Sequence, residues 1–271
     1  MRAARVIYTI WLREFKAFLR ERGRIVGMIG QPLLYLLIVG QGIASGLSLK
    51  QAPSGLDYLQ FIYPGILGMS VLFTSIFSAM SIIWDREFGF LKEVLVAPVP
   101  RWGVAVGKVL GGATVAVLQS LILIVLAPFI GITPSVSVVL QLLLLCFLIS
   151  LAVTSLGVAI AAGMRSMQGF QMIMNFLIMP LYFLSGAMFP ITTAPAWMQA
   201  LMRIDPLTYG VDALRNVVLS RVMVESGGRS LSELARETGQ IRWDLSFDIG
   251  IMILVAGVLI SVAAFRFSRA D

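Results

Sequence analysis

The stretch WDREFGFLKEVLVAPVPRWGVAVGK, residues 84–108, begins on the last residue of a 27-residue run, Tyr58 to Trp84, that carries no charge at all. The chain then breaks into Asp85, Arg86 and Glu87, sets Phe88, Leu91 and Leu95 at helical spacing, and meets Pro98 and Pro100. Phe88, Leu91 and Leu95 share one side, while Arg86, Lys92 and Glu93 lie nearer the other. That pattern predicts a short amphipathic helix over about 85–97, stopped by the prolines. Its position at the end of an apolar run makes it a helix projecting from a membrane. An apolar ridge outside the bilayer is costly unless headgroups or a partner's groove cover it.

Composition agrees with a bilayer environment. Of 271 residues, 58% are hydrophobic and 13% charged, far too few charges to coat one or two soluble cores. About 20 apolar residues make one crossing. Ile25–Leu49 and Tyr58–Trp84 hold one span each. Val109–Met164 is 56 residues long without a charge and is broken by GITPSVS at 131–137, so it holds two. Ser166–Met202 holds a fifth span plus a surplus, and Ile249–Phe265 a sixth. The expected fold is therefore an all-α membrane protein of six spans, with both termini on one side.

The side follows from the lysines and arginines. Fourteen of the 21 lie in the N-terminal segment, the connection between spans two and three, the turn at Arg165 and the C-terminal end. The short loops of the opposite side hold only Lys50, so the rule predicts both termini in the cytoplasm. The net charge of +7 then marks a cytoplasmic face, and no nucleic-acid partner is expected. The basic N-terminus lacks a small-residue cleavage site, so the first span is expected to be retained.

Two further segments complete the organisation. Residues 1–24 place Ile7, Ile10, Trp11, Phe15 and Phe18 roughly along one helical face with basic residues elsewhere, which predicts an amphipathic helix in the interface plane against membrane lipids. Residues 25–271 form the six-span domain. Within it, about 186–246 starts half apolar and proline-interrupted, too broken to span, and reads as helices dipping into the outer leaflet. It then turns polar, with a short helix near Leu231–Glu237. Gly103, Gly107 and Gly111 recur every four residues and give the third span a thin face for close packing.

The chemistry that is missing narrows the function. There is no histidine, and the single cysteine, Cys146, lies inside a span, which excludes zinc sites and Cys/His or Ser/His catalysis. GVAVGKV at 103–109 has one residue too few between its glycines, and a valine where a P-loop needs Ser or Thr, so the chain binds no ATP. Inside the spans as bounded above there is no ionisable side chain. Ion-coupled carriers place such groups in the bilayer to carry the coupling. Energy for uphill transport would then come from outside the membrane domain. The competing readings are a stand-alone channel or secondary carrier for a lipophilic solute, and an enzyme of lipid metabolism, for which no carboxylate cluster stands at either interface.

YPGI at 63–66, REFGFLKEVLVAPVPR at 86–101 and LSGAMFPITTAPAWMQALMRIDPLTYGVDALR at 184–215 together resemble the membrane subunits of ABC-2 type exporters, in the branch of drug-resistance and nodulation-factor export permeases. The resemblance covers essentially the whole chain. It implies a dimer of two copies, each docked through the coupling helix on a separate ATP-binding cassette subunit that supplies ATP and magnesium, in a bacterial-type inner membrane. The docking contact would fall on Glu87, Phe88, Leu91, Glu93 and Leu95. The family's route runs between the subunits along spans one, two and five, and its re-entrant helices close the outer end; Pro190, Trp197, Asp205, Pro206, Tyr209 and Arg215 would belong to that gate.

Polar and aromatic residues at helical steps supply candidates for the route: Gln31 and Tyr35 in the first span, Phe73, Thr74, Phe77 and Ser78 in the second, and Asn175, Met179 and Phe183 in the fifth. Each could equally be helix-to-helix packing. Neutral amides, hydroxyls and rings favour an amphipathic or lipid-like cargo, whether drug, lipid or lipid-linked glycan. Asp212 and Arg215, three apart on an expected surface helix, read as helix support.

Overall fold

A computed structural model describes residues 2–21, 23, 26–27, 30, 32–34, 38, 58–90, 99–130, 132, 134–220, 235–236, 239 and 241–269. Among them every regular element is helical: α1 (Arg2–Arg20), α2 (Tyr58–Ala79), α3 (Ser81–Glu87), α4 (Arg101–Val125), α5 (Val136–Ala161), α6 (Met167–Leu184), α7 (Ala196–Ile204), α8 (Pro206–Leu219) and α9 (Leu245–Arg269). Among the described residues five stretches are long and apolar enough to cross a bilayer: Ile62–Glu87, which joins α2 to α3, then α4, α5, α6 and α9. Most of the expected first span, 25–49, lies outside the described residues, as does most of the short helix expected near 231–237.

The helices begin and end on readable signals. Ser166 caps α6 by accepting from the Gly169 N–H at 3.1 Å, and Asp205 caps α8 by accepting from the Leu207 N–H at 2.9 Å, with Pro206 in the first turn. At the far end of α3, Phe88 and Gly89 close the helix with Gly89 at φ +82°, a left-handed stop that glycine takes without strain.

Around a core of α2, α4 and α5, α9 lies along α5 and α8 fits between α2, α5 and α9. Every residue of α8 from Leu207 to Leu219 is buried. At 14 residues and 1.5 Å per residue it is about 21 Å long, short of the roughly 30 Å hydrocarbon layer and so too short to cross it.

Three expectations need correction. Asp85, Arg86 and Glu87 end the span helix and do not open the coupling helix, because Gly89 places the break two residues beyond them. The statement that the spans hold no ionisable group also fails. Bounds drawn at charges exclude those charges by construction, whereas α4 starts at Arg101 and α9 at Leu245. They carry Lys108, 4% exposed, inside the helical body of α4, and Asp248, fully buried, in the first turn of α9. Finally, Asp212 and Arg215 are not on a surface helix. Both are buried: Asp212 accepts from the N–H groups of Arg242 and Trp243 at 3.1 Å, and Arg215 donates to the Gly186 carbonyl at 2.9 Å.

α1 also keeps less of its apolar face for lipid than expected. Ile10 and Phe18 are buried, with α1 laid along α4. The glycines of α4 are the reason: a Cβ added at Gly107 would stand 2.8 Å from the Ile10 Cβ, and one at Gly111 only 2.6 Å from the Glu14 Cβ. The helices approach so closely that only a hydrogen fits.

Candidate functional site

Three groups of residues stand out. The first is the charged end of the bundle, where α1, α3 and α4 meet. Asp85, at the end of α3, accepts from both terminal nitrogens of Arg13 and from the Lys108 ammonium. Lys108 also donates to Glu14 at 2.6 Å and to Ser81 at 3.0 Å. Lys108 could not be carried this deep without such partners, since an unpaired buried ammonium costs several kcal/mol. The Arg13 guanidinium lies 3.6 Å over the Phe90 ring. Burial works against its charge, but the hydrogen bond and attraction to Asp85, with Glu14 nearby, outweigh burial and raise its pKa above the ordinary arginine value.

One residue along, Arg86 reaches the other way. It donates to the Met164 carbonyl and to the Ala162 carbonyl at 3.0 Å, satisfying the free carbonyls at the end of α5. Glu87 accepts from the Met167 N–H at 3.4 Å, at the start of α6. Arg266 of α9 donates to the Ala159 carbonyl at 3.3 Å. The last turn of α3 is thereby tied to α1, α4, α5 and α6 at once. Beyond it stands Phe88, 84% exposed, a large ring with almost no protein around it. Of the expected docking residues, Glu87 and Phe88 are described; Leu91, Glu93 and Leu95 lie outside the described residues.

The second group surrounds a cavity of about 330 Å³ between the end of α1, Gly27 and Pro32, α2 and α4. Phe73, Thr74 and Phe77 line it, together with Met69, Ser70, Met80, Trp84 and Gln119. Phe73 and Phe77 stack at 6.4 Å between ring centroids. Ser78 instead points to α4 and α5, where Gly112 leaves room for it and for Thr154. Gln31 and Tyr35 lie outside the described residues. Asn175, Met179 and Phe183 do not join this cavity; they are exposed on the outward face of α6, beside Phe176 at 76%. Gln119 was missed by sequence reasoning. The signal was present, because it is the only amide between Val109 and Val125, and a buried amide in hydrocarbon must find partners.

The third group is at the far end, around α8. Thr208 donates to the Leu184 carbonyl at 3.1 Å, and Tyr209 to the Arg203 carbonyl at 2.7 Å. The Tyr209 ring stands 4.8 Å from Trp243, centroid to centroid. Gly186, at φ +73°, turns the chain out of α6 and offers its carbonyl to Arg215. Burial pushes the Asp205 carboxyl up to about 7 against its hydrogen bond from Leu207, and pulls Arg215 down to about 10 against the attraction of Asp212. Asp205, Pro206, Tyr209 and Arg215 thus belong to one packed unit. Pro190 is half-buried in the link before α7, and Trp197 projects from α7, 67% exposed.

No group of three or more His, Cys, Asp or Glu residues able to hold a metal occurs among the described residues. The described geometry is that of a helix bundle with a wired end, a partly open cavity and a buried half-length helix.

Comparison with known proteins matches this architecture. The model of the ABC-2 type transporter family matches residues 5–219. The chain is 28% identical over 221 residues to Nodulation protein J of Rhizobium meliloti, covering 80% of this chain and 83% of that protein. It is 29% identical over 213 residues to the inner membrane transport permease YadH of Escherichia coli K12, covering 76% of this chain and 80% of that one. With the match spanning α1 to the end of α8, and five stretches among the described residues long and apolar enough to cross a bilayer, the chain belongs to the ABC-2 type transporter family and is a multi-pass membrane permease.

Proposed function

We propose that this chain is the membrane subunit of an ATP-driven exporter, in which two copies form the permease and each docks on a separate ATP-binding cassette subunit. The observation that carries the reading is the junction behind Phe88. A nearly naked ring follows a helix end fastened to four other helices by Asp85, Arg86, Glu87, Arg13 and Lys108. Force applied at 85–97 would be delivered to α1, α4, α5 and α6 together. Such wiring has little use in a chain that works without a partner at that end.

The remaining elements of the proposal have their own support. A six-span count is favoured by the uncharged run 25–49, whose described residues 26, 27, 30, 32–34 and 38 are helical. Both termini face the cytoplasm of a bacterial-type inner membrane, by the distribution of lysine and arginine. The unpartnered outward face of α6, with Asn175, Met179 and Phe183, suits the second copy and a route between the two. The largely exposed α7, anchored by the buried Met202, and the buried α8 would close the outer end of that route. The cargo is amphipathic or lipid-like, because the cavity walls and α6 offer rings, thioethers and neutral polar groups.

The test is co-purification with the ATPase subunit. Phe88→Asp is expected to abolish association while leaving the protein inserted and folded, since an 84% exposed side chain holds nothing in place. Undiminished association would count against the docking assignment. Transport by the chain alone in vesicles would overturn the exporter reading in favour of a stand-alone carrier.

A further inference from the structure

The cavity between α2 and α4 has a built polar floor. Gln119, 3% exposed, donates from Nε2 to the Ser70 Oγ at 2.6 Å, and its Oε1 accepts from the Thr74 hydroxyl. Ser70 and Thr74 stand one helical turn apart on α2, so a single amide from α4 bridges both. A hydroxyl that accepts keeps its own proton, and one that donates keeps its lone pairs. The floor therefore still presents a donor at Ser70 and an acceptor at Thr74, and neither carries charge. Above it the walls are Phe73, Phe77, Trp84 and two methionines, a mixture of flat rings and deformable side chains.

We infer that this cavity is a binding site within one subunit for an uncharged lipophile carrying a hydroxyl, carbonyl or amide group, with Gln119 as the residue that sets its specificity. A volume of about 330 Å³ is of the size that encloses a small organic ligand. The floor decides the head of that ligand. At the floor of Ser70, Thr74 and Gln119 an ionised group would surrender its hydration and meet no opposite charge among the described residues, whereas a neutral oxygen exchanges water for Ser70 and Thr74. Among the described lining residues the one charged group is Glu21, exposed just past the end of α1. Identification of this ligand as cargo rests on the exporter reading; the existence of the site does not.

The test uses the full chain in lipid nanodiscs and three probes of one shape: pyrene, 1-pyrenemethanol and 1-pyrenecarboxylate. Binding is read as energy transfer from tryptophan to the pyrene ring. Pyrenemethanol is expected to quench saturably, the signal falling in Trp84→Phe, and the carboxylate to bind at least about tenfold more weakly. Gln119→Leu is expected to weaken pyrenemethanol about tenfold, the size of one lost neutral hydrogen bond, and to leave pyrene unchanged. Should Gln119→Leu fail to fold, Thr74→Val keeps the shape and is expected to cause the same selective loss. Non-saturable quenching, or equal affinity of pyrenemethanol for wild type and variant, would overturn the site. Because this measurement needs no ATPase subunit, failure of the exporter reading leaves its result standing. Unaltered export by an assembled Gln119→Leu complex would remove the cavity from the cargo route without touching the mechanism.

Discussion

Replacement of Asp85 by asparagine isolates the charged junction. It leaves the shape of the site but removes the carboxylate that both Arg13 and Lys108 use. Removing one partner of a buried ion pair costs about 3–5 kcal/mol, because the other charge stays buried. The Lys108 side chain is 2% exposed, so it cannot reach water, but it keeps Glu14 at 2.6 Å and Ser81 at 3.0 Å. Its share therefore falls at the low end, about 3 kcal/mol. The Arg13 side chain is 36% exposed, turns to solvent, and adds at most about 1 kcal/mol. For a domain of this size each kcal/mol lowers Tm by roughly 2–4 °C, so the combined loss of about 3–4 kcal/mol corresponds to a fall of about 6–16 °C. The assay is supplied by the chain itself. Cys146 is the single cysteine and is fully buried, so a thiol-reactive dye reports unfolding at one site. Removing both charges, as Asp85→Asn with Lys108→Met, is expected to recover at least about half of the loss, since no buried ammonium is then left with an incomplete shell. A single variant within about 2 °C of wild type, or a double variant no better than the single, would refute the account of the junction as a coupled buried cluster.

Other consequences are open to equally direct measurement. Gly107→Ala puts a methyl 2.8 Å from the Ile10 Cβ and is expected to cost about 1–3 kcal/mol and expose α1 to protease, whereas Gly250→Ala, with nothing within 4 Å, is expected to be silent. With the Asp205 carboxyl pushed up to about 7, folding takes up a proton between roughly pH 4 and 7, and the stability this carries is lost as pH rises through 7. Asp205→Asn keeps the helix cap and is expected to raise Tm above wild type at pH 8 but not at pH 4. Asp248 is fully buried, and neither of its carboxylate oxygens has a hydrogen-bond partner among the described residues. ATP-driven transport by an Asp248→Asn complex is expected to match wild type; dependence of transport on this carboxylate and on a proton gradient would favour the stand-alone carrier.

Burial, by contrast with element type, was only partly legible. The uncharged runs predicted apolar helices at 58–84, 109–164, 166–202 and 249–265, because no water in the bilayer core means that backbone polar groups must pair within each segment. The glycines of α4 announced a thin face, and Asp205-Pro206 a helix start. The limits of the reading are instructive at three residues. In the sequence Lys108 and Asp248 look like boundaries, since a charge next to an apolar run looks the same whether it meets water or a buried partner. Gln119 went unnoticed because its partners, Ser70 and Thr74, are 49 and 45 residues away.

What the amino-acid order determined alone is therefore the class of molecule: a helical membrane protein, decided by runs of residues that water would not tolerate and by glycine, proline and cap signals that act within a single turn. What only the tertiary structure decided is which polar groups are partners. It brought Asp85, Arg13, Glu14 and Lys108 to one point, enclosed Gln119 over α2, and buried Asp212 and Arg215 in α8. The physical reason is that hydrophobic periodicity is written locally, whereas the stability of a buried charge depends on an opposite charge contributed by another helix.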